Sequence, residues 1–245
     1  MADELYTDAQ LAALYDRLYP RSADFRFYLP LILAAQQVLD VGCGTGALLH
    51  EARRCGHAGR LCGLDPADAM LAQARRGGDI EWVCGELASV AWVGEFDLVV
   101  MTGHAFQVFV ADTELRAALG AVRRVLKSYG RFAFETRNPG ARAWEGWQAH
   151  EPTEVDGPDG ARVRLTRRVV APFDGRTVTF TETFSSPGWP QPRVSRSTLR
   201  FLDATQLGRL LAQAGFTIEA QFGGFGREPL TPGSAEIVTI ARRAS

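Results

Sequence analysis

An excess of either charge is missing from this sequence: 27 lysines and arginines stand against 28 aspartates and glutamates, for a formal net charge of −1. Proteins that neutralise nucleic-acid phosphates carry a marked basic surplus, so a nucleic-acid partner is disfavoured and a small molecule favoured. Cysteine is scarce as well. Cys43, Cys55, Cys62 and Cys84 lie in or beside apolar segments without a CxxC pair, which suggests neither a zinc site nor a disulfide framework and fits a reducing, cytoplasmic setting. Long apolar runs are lacking: stretches such as Leu98 to Met101 are strand-length, far short of the ~20 residues that cross a bilayer. The N-terminal MADELYTDAQLAALYDRLYP opens on acids and has no basic region leading into an apolar one, so no secretory signal and no membrane association are expected. His50, His57 and His150 show no ligand spacing and are expected on the surface, and no metal site is predicted.

What is present is enough apolar material, 46% of 245 residues, to bury a sizeable core. Apolar residues at helical spacing predict a helix from Asp8 to Tyr19 and another from Ser22 to about Ala34. From Gln36 short apolar strands alternate with helices: QQVLDV, Ala47–Arg54, RLCGL, Ala67–Arg76, IEWVC, FDLVVM, Thr113–Lys127 and GRFAFET. Such alternation implies a parallel sheet covered on both faces. Residues 151–202 change character and read as antiparallel strands, with RVRLTRRVV and RTVTFTETF forming a hairpin and SRSTLRFL a further strand. A helix from Ala204 to Ala214 and the strands FTIEAQF and AEIVTIARR close the chain. The division expected is a helical segment 1–35, a core of 36–139 and 203–245, and an inserted β cap at 150–202.

The chemistry gathers around Val38-Leu39-Asp40-Val41-Gly42-Cys43-Gly44-Thr45-Gly46, an apolar strand that runs into three alternate glycines just before a helix. Bare backbone and unpaired helix N–H groups there suit a nucleotide-derived ligand. Asp65, nineteen residues beyond Gly46, ends the second strand, where a carboxylate grips a ribose diol. Gly42, Gly44 and Ala47 also satisfy the dinucleotide fingerprint, which leaves a nicotinamide-dependent oxidoreductase as the alternative. Asp40 argues against it, because a carboxylate beside the glycines repels a pyrophosphate and attracts an ammonium.

These motifs resemble the class I S-adenosylmethionine-dependent methyltransferases. VLDVGCGTG is similar to the family's first motif, GLDPADAML to its second, and WVCGE to its third, with Glu86 in place of the usual Asp; FDLVVMTGHAFQ and LRAALGAVRRVLKSYGRFAFE follow in the family's order. The resemblance implies an α/β, Rossmann-like, seven-stranded mixed sheet of order 3-2-1-4-5-7-6 with the last strand antiparallel, preceded by N-terminal helices. It implies S-adenosylmethionine as cofactor and S-adenosylhomocysteine as product. Asp40 would serve the methionyl ammonium, Gly42, Cys43, Gly44 and Gly46 the methionine moiety, and Asp65 the ribose. Pro66, Met70, Gly85, Glu86, Leu87, Thr102 and Gly103 complete the expected cofactor site, with Tyr15 and Tyr28 either packing on the cofactor or anchoring their helices.

The inserted segment resembles the cap sheet of small-molecule methyltransferases, antibiotic-sugar N-methyltransferases among them, and implies a compact acceptor, with nitrogen or oxygen the atom methylated and a monomer or homodimer as the assembly. Phe106, Trp144 and Trp147 are candidates for the acceptor pocket. The cap arginines Arg162, Arg164, Arg167, Arg168, Arg193, Arg196 and Arg200 read as a solvated face in preference to an anion site. Transfer from a sulfonium asks mainly for proximity and alignment. A base helps a protonated acceptor, and His104, after the fourth strand, and Glu135, at the end of the fifth, are the candidates. His104 could equally serve only to hold backbone. A protein that binds the cofactor without turnover is a further alternative.

Overall fold

The computed structural model describes residues 3–20, 22–147, 151–157 and 160–244, so His150 lies outside the described residues. The chain opens with three single turns, α1 (Glu4–Thr7), α2 (Ala9–Ala12) and α3 (Tyr15–Leu18), and a longer helix, α4 (Ser22–Leu33). There follow β1 (Gln37–Val41), α5 (Ala47–Arg54), β2 (Arg60–Asp65), α6 (Asp68–Ala74), β3 (Glu81–Cys84), β4 (Phe96–Met101), α7 (Asp112–Val125) and β5 (Leu126–Arg137). Next come β6 (Thr153–Asp156), β7 (Arg162–Ala171), β8 (Thr177–Ser185) and β9 (Arg193–Arg200), then α8 (Ala204–Gln213), β10 (Phe216–Phe222) and β11 (Glu236–Arg243).

Seven strands form one sheet in the order β3-β2-β1-β4-β5-β11-β10. All neighbours are parallel except β11, which runs against both β5 and β10. This is the 3-2-1-4-5-7-6 arrangement the resemblance implied. The central strands are apolar almost throughout because both faces are covered. Val38, Leu61, Leu98 and Val100 pack beneath α4 and α5, with Tyr28, Ile32, Leu48 and Leu49. Their alternates Leu39, Cys62, Val99 and Met101 pack beneath α7 and α8, with Leu115, Val122, Leu207 and Leu211. Helix α8 starts where Asp203 and Gln206 bond each other's backbone N–H groups, at 2.8 and 3.0 Å, a reciprocal cap that fixes the start of the helix.

The other four strands form an antiparallel sheet, β6-β7-β8-β9. One face carries two apolar clusters. Val163, Leu165 and Phe184 meet Leu5, Leu11, Leu14 and Leu18 from the N-terminal turns, while Val178, Phe180, Leu199 and Phe201 meet Trp144 and Trp147. Register places Arg167 opposite Glu182 on that same face. The remaining arginines follow the solvated-face reading in part: Arg162, Arg164, Arg168 and Arg196 are exposed, whereas Arg200 is buried.

Three sequence expectations need correction. The helix predicted over Asp8–Tyr19 is broken, because Asp8 takes an extended conformation and caps α2, accepting from the N–H groups of Gln10 and Leu11 at 2.8 and 3.0 Å. Breaking it sends Leu11, Leu14 and Leu18 to the cap sheet and Ala12 to Ala67 and Met70 on α6, a division a single straight helix would not achieve. Strand β6 was not foreseen because its residues, mostly exposed, carry no apolar alternation; it is a charged edge strand held by its ladder to β7. Lastly, His57 is buried, 5% exposed, with Nε2 at 2.8 Å from the Ala35 carbonyl.

Candidate active site

Strand β1 delivers the chain to a loop in which Gly42, Gly44 and Gly46 have φ of +73°, +57° and +73°. At Gly46 the geometry admits no side chain, since an added Cβ would lie 2.2 Å from the indole of Trp82, and the left-handed conformation is itself costly for other residues. The loop thus keeps bare backbone at the N-terminus of α5. Behind it Asp40 is 1% exposed, between Gly63 of β2 and Val100 of β4 in register. Burial above all, then the charges of Asp40 and Asp65, push the Cys43 thiol well up, so it stays a thiol.

Asp65 ends β2 with 7% exposure. Its Oδ2 accepts the Gly44 N–H at 2.9 Å and its Oδ1 the Ala67 N–H at 2.8 Å. Burial raises its pKa, and those two N–H bonds oppose the rise. A carboxylate offers about four acceptor positions, so each oxygen keeps a lone pair for a diol. Pro66 and Met70 stand beside it, the Met70 methyl 3.1 Å from where a Gly44 Cβ would sit. Above the loop, Tyr15 packs with Tyr6, Ala12, Ala67 and Met70, and the Thr45 hydroxyl donates to Asp16 of α3 at 2.7 Å. The N-terminal turns therefore rest directly on the glycine loop. Across it, after β3, Gly85 turns at φ +155°, the Ser89 hydroxyl donates to the Glu86 carbonyl at 2.7 Å, Glu86 is exposed and Leu87 enters the core.

Strand β4 ends in Met101, buried Thr102 and Gly103, and then His104 at φ +64°, a conformation that costs a non-glycine residue ~1–3 kcal/mol. Glu135 holds it there. That carboxylate, 0% exposed, accepts the His104 N–H at 2.8 Å on one oxygen and the Tyr28 hydroxyl on the other. Tyr28 is accordingly engaged with Glu135, and burial chiefly, with the Glu135 charge, keeps its phenol protonated. The imidazole of His104, about one-fifth exposed, places Nε2 3.0 Å from the Glu236 carboxylate. Since an ionised carboxylate only accepts, Nε2 is the donor in this contact, and Nδ1 is the nitrogen left to accept when the ring is neutral.

Around this point further polar groups gather. Arg137 faces Glu236 across the β5–β11 ladder; its Nη1 donates to Gln107 at 3.2 Å, and its guanidinium lies 5.5 Å from the Trp147 ring. Burial lowers its pKa and Glu236 partly restores it. Arg167, 5.7 Å from the same ring, is paired with Glu182 at 2.5 Å; burial works against its charge, but Glu182 outweighs it and the pKa rises. Tyr19 is pushed up by burial first and by Glu182 next.

Of the residues predicted for the acceptor pocket, Trp147 adjoins this polar group. Phe106 belongs to the core, stacked 4.3 Å from Phe134. Trp144 stacks 4.4 Å from Phe173 and lines a separate cavity of about 730 Å³ with Pro139, Arg142 and Val169, none from the glycine loop. Glu236, Gln107, Asp16 and Glu182 were not predicted. Glu236 lies 132 residues from His104, and no local pattern joins them. No cluster suited to a metal ion occurs among the described residues.

Residues 38–130 match the family model described as a methyltransferase domain. This segment is similar to methyltransferase domains. The match favours the methyltransferase resemblance over the nicotinamide reading left open by the glycines. Over 116 residues, 45% of this chain, the sequence is 35% identical to a 2-phytyl-1,4-naphtoquinone methyltransferase of Thermosynechococcus vestitus, and the chain spans about half, 50%, of that curated relative. Among solved structures, the CcbJ methyltransferase of Streptomyces caelestis superposes with TM-score 0.77 at 20% identity, covering 100% of both chains. The amino pentose methyltransferase CalS10 of Micromonospora echinaspora, solved with S-adenosylmethionine bound, gives 0.69 at 24% with 100% of both chains. The sugar N-methyltransferase KedS8 of a Streptoalloteichus species gives 0.76 at 19%, covering 95% of this chain and 92% of its own. At these identities the likeness is one of fold.

Proposed function

We propose that this chain transfers a methyl group from S-adenosylmethionine to a nitrogen of a compact, amine-bearing small molecule. The observation that carries the reading is the His104–Glu236 pair at the end of β4, on the edge of the sheet where open α/β folds hold their ligands. The residues present fit the cofactor. Asp65 retains acceptor capacity for the ribose hydroxyls, the glycine loop admits no side chain at Gly46, and buried Asp40 favours a ligand with an ammonium over one with a pyrophosphate. When bound, the cofactor supplies a methyl group already activated by its sulfonium.

The protein's own part begins with burial and alignment. The N-terminal turns and the sheet β6–β9 act as a cap, residues 150–202 forming the inserted part. The resulting enclosure excludes water and selects compact acceptors. His104 Nδ1 takes the proton of the acceptor amine, and the Glu236 carboxylate stabilises the imidazolium that results. Glu135 fixes the loop that aims the ring. An amine suits this site because carboxylates lie behind the histidine, and the amino-sugar and sugar N-methyltransferases of the same fold accord with it. A balanced charge fits a small-molecule acceptor rather than nucleic acid; a monomer or homodimer in the cytoplasm goes with the reading, and no helix among the described residues is long and apolar enough to cross a membrane.

The test is incubation with methyl-labelled cofactor and a set of primary and secondary amines beside hydroxyl analogues of the same skeletons. Label on nitrogen supports the reading; label confined to oxygen overturns the acceptor assignment, and binding without transfer to any acceptor overturns the activity.

A further inference from the structure

Three of the cap arginines that approach the interior already have carboxylates. Arg167 is paired with Glu182, Arg193 with Asp8 and Arg200 with Asp112. Arg137 is different: among the described residues its guanidinium makes no ion pair, and its side-chain hydrogen bond goes to the neutral amide oxygen of Gln107. Its cross-strand neighbour Glu236 is the natural partner, since residues in register on paired strands share a face. That carboxylate is instead engaged by His104. Gln107 cannot follow a moving arginine, because its Nε2 donates to the Arg200 carbonyl at 2.8 Å and its oxygen also accepts the Arg137 N–H at 3.2 Å.

The guanidinium is therefore fixed in orientation, backed by Trp147 at 5.5 Å and left with most of its five N–H donors. Burial weighs against its charge, and the fields of Glu236 and Glu135, neither bonded to it, offset that only in part; such a group gains from a ligand that brings a directly paired opposite charge. The fork of an arginine matches the paired oxygens of a carboxylate or phosphate.

We propose that Arg137 anchors an oxyanion, a carboxylate or phosphate group, carried by the methyl acceptor. The inference rests on the acceptor reading above and extends it: the acceptor is bipolar, its amine directed to His104 and Glu236 and its anionic group to Arg137. Trp147 backs the guanidinium. The specificity of the site then lies in the separation of the two charges as much as in size.

The experiment uses the full chain saturated with S-adenosylhomocysteine, titrated calorimetrically with inorganic phosphate and, separately, acetate. Saturable binding of at least one is expected, and the preferred ion identifies the class of oxyanion. Arg137→Gln should weaken that binding about tenfold or more, with Arg137→Lys, which keeps the charge without the fork, in between. Affinity for S-adenosylhomocysteine should stay within about threefold in both variants. The proposal is overturned if the wild-type chain binds neither ion, if Arg137→Lys and Arg137→Gln bind as the wild type does, or if cofactor affinity falls in step with the anion. None of these readings involves methyl transfer, so labelling on nitrogen stands or fails separately.

Discussion

Gly46→Ala should be among the most damaging single-methyl additions available to this chain. Its φ of +73° costs an L-residue ~1–2 kcal/mol, and its Cβ would enter the Trp82 ring at 2.2 Å. The partly buried ring lies against a second glycine as well, where a Cβ on Gly63 would meet it at 2.4 Å, and the His50 ring lies 5.3 Å from it. Overpacking adds ~1–3 kcal/mol, so the substitution should cost about 2–5 kcal/mol in all. Urea unfolding read at constant m gives the loss directly. Gly63→Ala has no positive φ to contend with and meets Trp82 and the Cys43 sulfur, so it separates overpacking from backbone strain and should cost ~1–3 kcal/mol. Combining Gly46→Ala with Trp82→Ala removes the clash and leaves the backbone term, so the pair should fall short of the summed single losses by ~1–3 kcal/mol. Strict additivity, or a Gly46→Ala cost under ~1 kcal/mol, would refute the argument that the indole dictates glycine.

Three more outcomes are expected. Asp65→Ala should weaken S-adenosylhomocysteine binding by ~3 kcal/mol, two charge-assisted bonds at ~1.5 kcal/mol each, as calorimetry would measure. Because burial raises the Asp65 pKa, its protonation, and with it the loss of ligand affinity, should begin above the ordinary carboxylate value of ~3.9 as pH falls; in the ligand-free protein its contribution has the opposite sign, with stability lost as pH rises from 3.8 through the raised folded value. His104→Ala should cut turnover ~100-fold and abolish the acidic limb of the pH–rate profile while leaving cofactor affinity within ~3-fold, whereas Glu236→Gln should keep the limb and lower kcat ~10-fold.

The half of the site nearest the glycine loop was legible because its information is local. Val38 to Gly46 is a strand, a turn and a helix start in nine consecutive residues, and Asp65 closes the next strand. Sheet order came from the family resemblance, and alternating strand and helix alone gave only the parallel core. What the sequence hid is what depends on distant pairing. Glu236 becomes meaningful only when β11 inserts beside β5. Strand β6 owes its existence to the ladder with β7, which leaves no hydrophobic signature. Trp82 looks like an ordinary core residue until two glycines are found beneath it.

Glu135 has a consequence for how such a protein can be altered. Its two oxygens tie α4, through Tyr28, to the loop bearing His104, so losing either partner leaves a buried oxygen without its hydrogen bond. Segments ahead of α4 are bound through apolar packing and through bonds such as Thr45 to Asp16 and Arg193 to Asp8, so an exchange there has to keep both aspartates as well as the shape. From α4 onward any graft must bring Tyr28 with it, or leave one Glu135 oxygen without its donor. Altering the first turns likewise means carrying Asp8, Tyr15 and Asp16 along, because the cap sheet and the glycine loop both lean on them.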